Sequence, residues 1–143
     1  KEVRFEAIKF SSHHQEISCQ PYPNGPLTLW IKLFSSHPRS LGSLAITIYD
    51  AYGTKLVNAD TMTIGRILDL VPGLNNICLN IKTVHLNPGQ YIVGLWAADP
   101  AGEVFDSITS AFKIEVLDIG SEGVGVKPKF DGLVPCEFDV LVS

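Results

Sequence analysis

Charge is scarce in this chain. Of its 143 residues only 18% are charged, and the net charge is −4. That leaves no basic footprint for nucleic acid. Cysteine is scarce too: Cys19, Cys78 and Cys136. An odd count without paired spacing argues against a disulfide framework. A Cys78–Cys136 pair stays open, beside reduced thiols in a cytosolic domain. Long apolar runs are missing; the longest, residues 91–98, is far too short to span a bilayer. There is no internal repeat, no low-complexity tract and no long helical pattern, which disfavours α/β folds.

What is present is apolar and full of turns. Hydrophobic residues are 45% of the chain, so disorder is not expected. The length fits one domain with a real core. Twelve Gly and nine Pro lie between short apolar runs, as in an all-β protein. The chain begins at Lys1 without Met or a signal peptide, and the expectation is a single domain over 1–143, excised from a larger protein.

Period-two alternation predicts the strands. Residues 3–10 begin as one, with the phase slipping near Ala7-Ile8. Residues 20–26 hold three prolines and an Asn-Gly and read as a loop. Residues 27–34 form the cleanest strand: Leu29, Ile31 and Leu33 face inward; Thr28, Trp30, Lys32 and Phe34 face outward. Residues 44–49 put Leu44, Ile46 and Ile48 inward and Ala45, Thr47 and Tyr49 outward. Residues 50–53 are a turn, and 55–63 a polar strand near an edge. Residues 64–71 read as one helical turn ended by Pro72-Gly73. Residues 75–82 turn Ile77, Leu79 and Ile81 inward and Cys78, Asn80 and Lys82 outward. Residues 91–98 carry Tyr91, Val93, Leu95 and Ala97 on one face and Ile92, Gly94, Trp96 and Ala98 on the other. After a turn at 99–103 come strands at 109–117 and 133–142, joined by a Gly-rich flexible link at 120–132. This many short strands with regular turns predicts an antiparallel β-sandwich, although the Ig-type Cys–Trp–Cys pattern is absent.

Catalytic signatures are weak. Adjacent His13 and His14 point to opposite faces of any strand, and with His37 and His85 they form no zinc-spaced cluster. No metal ligands and no cofactor are expected. Asp50, Asp60, Asp69, Asp99, Glu103, Asp106 and Glu115 are scattered, mostly at turns, where Asp serves backbone geometry; a glycosidase needs two across a cleft. There is no Gly-x-Ser-x-Gly elbow. Residues 120–125 lack the Gly-Lys-Ser/Thr ending of a phosphate loop.

The aromatics carry more. Trp30, Tyr49 and Trp96 all fall on the outer face of their strands. Aromatic rings stack on the C–H faces of sugars, and Thr28, Lys32, Thr47 and Asn80 offer hydrogen bonds to hydroxyls. A loop cap or a dimer interface is the competing explanation.

Six stretches follow one another in a telling order: Val3-Arg4-Phe5, residues 25–31 (Gly-Pro-Leu-Thr-Leu-Trp-Ile), 44–53 (Leu-Ala-Ile-Thr-Ile-Tyr-Asp-Ala-Tyr-Gly), 86–91 (Leu-Asn-Pro-Gly-Gln-Tyr), Phe105-Asp106 with 111–114, and a last strand at 132–142. In that order and spacing, over nearly the whole chain, the sequence resembles the C-terminal carbohydrate-binding domain of Wzt-type subunits, the nucleotide-binding subunits of ABC transporters that export O-antigen polysaccharide. Cys136-Glu137-Phe138 stand where the family often has a Trp. The resemblance implies an all-β antiparallel sandwich of Ig-like or jelly-roll topology. It implies a non-catalytic domain that binds O-antigen glycan for export and works in lipopolysaccharide biosynthesis. It also implies a homodimer, with the final strand open to exchange. The nucleotide-binding domain would lie N-terminal, the membrane transport subunit would be a partner, and the location would be the cytoplasmic face of the inner membrane. The alternative is a structural or adhesive protein-interaction sandwich of an extracellular protein.

Family motifs do not fix the binding residues. In an Ig-like strand order the Trp30 strand pairs with the Asn80 strand, and the Tyr49 strand shares the other sheet with Trp96 and Lys113. Two faces result: Trp30, Lys32 and Asn80, or Tyr49, Thr47 and Trp96. The more polar neighbours favour the Trp30 face, and Trp30→Ala is the predicted loss-of-binding variant.

Overall fold

The structure, a computed structural model, describes residues 2–11, 25–116 and 138–142. The expected strand loop at 20–26 (up to residue 24), the link at 120–132, Cys19, Cys136, His13 and His14 lie outside the described residues, as do positions 133–137 of the last strand.

Among the described residues ten strands follow in order: β1 (Val3–Ser11), β2 (Leu27–Ser35), β3 (Arg39–Leu41), β4 (Ser43–Tyr49), β5 (Lys55–Asp60), β6 (Leu68–Leu70), β7 (Gly73–Ile81), β8 (Gly89–Ala98), β9 (Val104–Val116) and β10 (Phe138–Val142). One sheet runs β1-β2-β7-β10 and the other β5-β4-β8-β9, with β3 and β6 as a small ribbon. Every pairing is antiparallel. The fold is therefore the all-β antiparallel sandwich that the alternation predicted. The Trp30 strand does pair with the Asn80 strand, and β4, β8 and β9 share the second sheet.

Alternation builds the core. Leu29, Ile31 and Leu33 of β2 and Ile77, Leu79 and Ile81 of β7 meet Leu44, Ile46 and Ile48 of β4 and Val93, Leu95 and Ala97 of β8, all buried. Sheets packed this way lie about 10 Å apart. Two polar contacts tie the layers and corners. The Asp106 carboxylate on β9 accepts the Phe5 N–H of β1 at 2.9 Å, joining an edge of each sheet. The buried Tyr91 hydroxyl donates to the Asn87 carbonyl at 2.6 Å and closes the corner ahead of β8, as a tyrosine corner does. Burial, and secondarily the nearby Asp50 charge, raise the Tyr91 phenol above its ordinary value of 10.0.

Several expected elements are corrected. Residues 64–71 do not form a helical turn. The turn comes earlier, as a 3-10 helix, η1 (Thr61–Ile64), which also cuts the 55–63 strand short at Asp60. The Asp60 side chain caps it by accepting the Met62 N–H, and Gly65 at φ 66° ends it in the left-handed region. Beyond it, Leu68 and Leu70 are buried either side of exposed Asp69, a period of two that makes β6 a strand paired with β3. The ribbon strand β3 has too short a pattern to read from sequence. The phase slip expected near Ala7-Ile8 is a bulge in β1 between Phe5 and Ala7. β9 begins at Val104, five residues earlier than expected, because Asp99 closes its turn within 99–103: its Oδ1 accepts the Glu103 N–H at 2.8 Å.

Candidate functional site

The outer face of the second sheet is organised in cross-strand rows. Asp60, Ala45, Trp96 and Ser107 stand opposite one another across β5, β4, β8 and β9. Asn58, Thr47 and Gly94 form the next row, and Lys55, Tyr49 and Ile92 the one after. Adjacent strands are ~4.8 Å apart, so the Asp60 and Trp96 backbones are separated by roughly 10 Å with only an alanine between them. Small residues in the middle and aromatics around them make a trough.

Two cavities occupy it. One, of about 360 Å³, is bounded by Thr47, Tyr49, Asn58, Trp96 and Thr109, among others. The other, of about 500 Å³, lies between η1 and the 99–102 turn, with Met62, Arg66 and Asp99 on its walls. Asp60 and Trp96 line both, so the cavities adjoin at that pair.

Local structure sets each side chain. Trp96 is 37% exposed, because its neighbours on that face, Ala45 and Ser107, are small. Tyr49 lies across Gly94: a Cβ at Gly94 would come within 3.3 Å of the Tyr49 ring and 3.2 Å of the Ile108 and Thr109 carbonyls. A register shift in β9 between the partners of Val93 and Leu95 brings those carbonyls over the glycine. Thr47 is on the outer face as expected, but only 7% exposed. Its hydroxyl donates to Asn58 Oδ1 at 3.1 Å, and the Asn58 amide N–H groups have no partner among the described residues.

The first sheet's outer face is arranged differently. Trp30, also 37% exposed, has the Lys9 ammonium 5.8 Å from its ring centroid. Trp30 and Lys32 line a cavity of about 410 Å³ with Lys9, Asn76 and Cys78. Asn80 is not part of it; its Oδ1 accepts the Thr28 hydroxyl at 2.8 Å. The structure thus gathers Thr47, Tyr49 and Trp96 on one cavity, and Trp30 and Lys32 on another without Asn80. Asn58, Asp60 and Thr109 are trough residues that sequence reasoning did not select for binding, although the alternation of the first two along β5 was a signal.

Among the described residues, no group of three His, Cys, Asp or Glu side chains is placed to hold a metal ion. None of the described helices is long and apolar enough to cross a membrane.

Two antiparallel sheets with an aromatic-lined trough on one outer face place the chain in the class of β-sandwich domains. The sequence places it more narrowly. A model of the Wzt C-terminal domain matches residues 1–134. The chain belongs to the Wzt C-terminal domain family. One solved structure to which it is similar is the crystal structure of the C-terminal domain of Wzt, with a TM-score of 0.68 over 94% of this chain and 84% of that one, at 13% identity. No curated protein sequence matches the chain.

Proposed function

We propose that this is a non-catalytic carbohydrate-binding domain that holds O-antigen polysaccharide on the outer face of its second sheet. It does so as part of the ATP-binding subunit of an exporting ABC transporter, at the cytoplasmic side of the inner membrane and as a homodimer. Family membership supports the Wzt-type role. The observation that carries the choice of face is the convergence of Thr47, Tyr49 and Trp96 on one cavity. The more polar Trp30 surroundings favoured the other face from sequence. Against that face, the Lys9 ammonium stands 5.8 Å from the Trp30 ring centroid and Asn80 sits outside the cavity. A sugar stacked on Trp96 would present its rim hydroxyls to Asn58 and Thr109.

The carboxylates Asp50 and Asp99 each accept turn N–H groups and so serve backbone geometry, which supports the non-catalytic reading. A protein-contact reading draws on one feature, the exposed apolar side chains Met62, Ile64, Ile67, Val71 and Leu74 around η1 and β6. Titration with the source organism's own polysaccharide, followed by Trp fluorescence, separates the two. Saturable binding abolished by Trp96→Ala and retained by Trp30→Ala supports the glycan trough. A flat response from folded protein supports protein contact.

A further inference from the structure

One trough residue is left chemically incomplete. Asp60 is 7% exposed, yet it lines both cavities. Its Oδ1 is well served: the Ser43 hydroxyl donates at 2.8 Å and the Met62 N–H at 3.0 Å. Its Oδ2 has no partner among the described residues, and none of them places a cation within ion-pair distance. A carboxylate oxygen without a protein donor beside a cavity is left to water or to a ligand. Capping η1 needs only one oxygen, and Asn would serve as well as Asp there. The second oxygen is therefore unexplained by the fold.

Its position points to a ligand. Asp60 and Trp96 face each other across Ala45. The small alanine leaves room above it for one sugar ring, stacked on the indole at one side and reaching the carboxylate at the other. The remaining charged groups on the two cavities are Lys55, Arg66 and Asp99. Lys55 stands in the Tyr49 row, two rows from Asp60, Arg66 is turned to the Val140 carbonyl through Nη1, and Asp99 is held in its turn, so neither cation pairs with Asp60. A ligand anion beside Asp60 would meet a like charge in a site of reduced dielectric.

The geometry points to Asp60 as the residue that sets sugar specificity. It accepts a hydrogen bond from a hydroxyl of an uncharged glycosyl residue stacked on Trp96, and it rejects a sugar bearing a carboxylate or phosphate at that position. This inference rests on the trough being the glycan site.

The test is calorimetric titration of the domain with polysaccharide fragments from the source organism, native and after oxidation of their primary hydroxyls to carboxylates. Wild type is expected to bind the native fragments at least about tenfold tighter than the oxidised ones. Asp60→Asn keeps an acceptor for Ser43 and Met62 but puts an N–H donor where Oδ2 stood. It is expected to melt as wild type, to lose about 10- to 100-fold in affinity for native fragments, and to discriminate less against the oxidised ones. Ser43→Ala loosens the same cap without altering the carboxylate, and should keep the discrimination. Equal losses in the two variants, undiminished binding by Asp60→Asn, or equal wild-type affinity for both fragment types would overturn the inference. If Trp96→Ala still abolishes binding in those cases, the glycan reading stands. If wild type binds neither fragment, or Trp96→Ala binds as wild type, both readings fall together.

Discussion

Trp96 and Tyr49 reach the trough by different routes. Trp96 is held out by its small neighbours, whereas Tyr49 is laid flat because position 94 has no side chain. Gly94→Ala would press a methyl to 3.2 Å from two backbone carbonyls and 3.3 Å from the Tyr49 ring. Carbonyls in a strand give way poorly, so a loss of about 1–3 kcal/mol in stability is expected, as for overpacking. A weaker glycan affinity should accompany it as the ring moves. Differential scanning calorimetry and titration check the two effects separately; unchanged affinity would mean that the Tyr49 ring has no part in binding. At this scale the sequence was informative about direction and silent about partnership. Thr47, Tyr49 and Trp96 were legible because alternation fixes a face. Asp60 was not, because its isolation depends on what β4 and η1 bring beside it. Asn80 was on the expected face, but its tie to Thr28 and its distance from the cavity are tertiary facts.

Single polar contacts decide how elements meet. Tyr91→Phe removes the donor to the Asn87 carbonyl and is expected to cost about 1–3 kcal/mol, read by chemical denaturation. The same phenol sets an alkaline limit. Its pKa is raised in the folded state, so its contribution is complete below the unfolded value of about 10 and is lost as pH climbs through the higher folded value. Stability should therefore fall above about pH 10 in wild type and fall less in Tyr91→Phe. Asp106→Ala leaves the Phe5 N–H without its acceptor on β9. Faster hydrogen exchange at Phe5, with the β2–β7 amides unchanged, is the expected signature. Element boundaries were the least readable part of the sequence. Residues 64–71 have an apolar spacing that suits a helix as well as a strand. The cap from Asp60 and the left-handed Gly65 moved the helical turn upstream and freed Leu68–Leu70 to pair with β3.

As a whole, the molecule was the most legible level. Inward residues repeating every second position on β2, β4, β7 and β8 leave few arrangements other than two packed sheets. Ile46→Ala, at the centre of that core, is expected to cost about 2–5 kcal/mol. In this single chain β10 completes the first sheet against β7. In the proposed homodimer, the partner's final strand could take that same edge. Light scattering at micromolar concentration should then give twice the chain mass, and removal of residues 138–142 should lower it to one. The central claim is that the second sheet's outer face, not the first's, receives the glycan. Amide chemical-shift mapping during titration with the source organism's polysaccharide tests it most directly. Shifts clustered at residues 45–49, 58–60, 94–96 and 107–109 are expected. Shifts clustered instead at residues 7–9, 30–32 and 76–78 would contradict the account and return the site to Trp30.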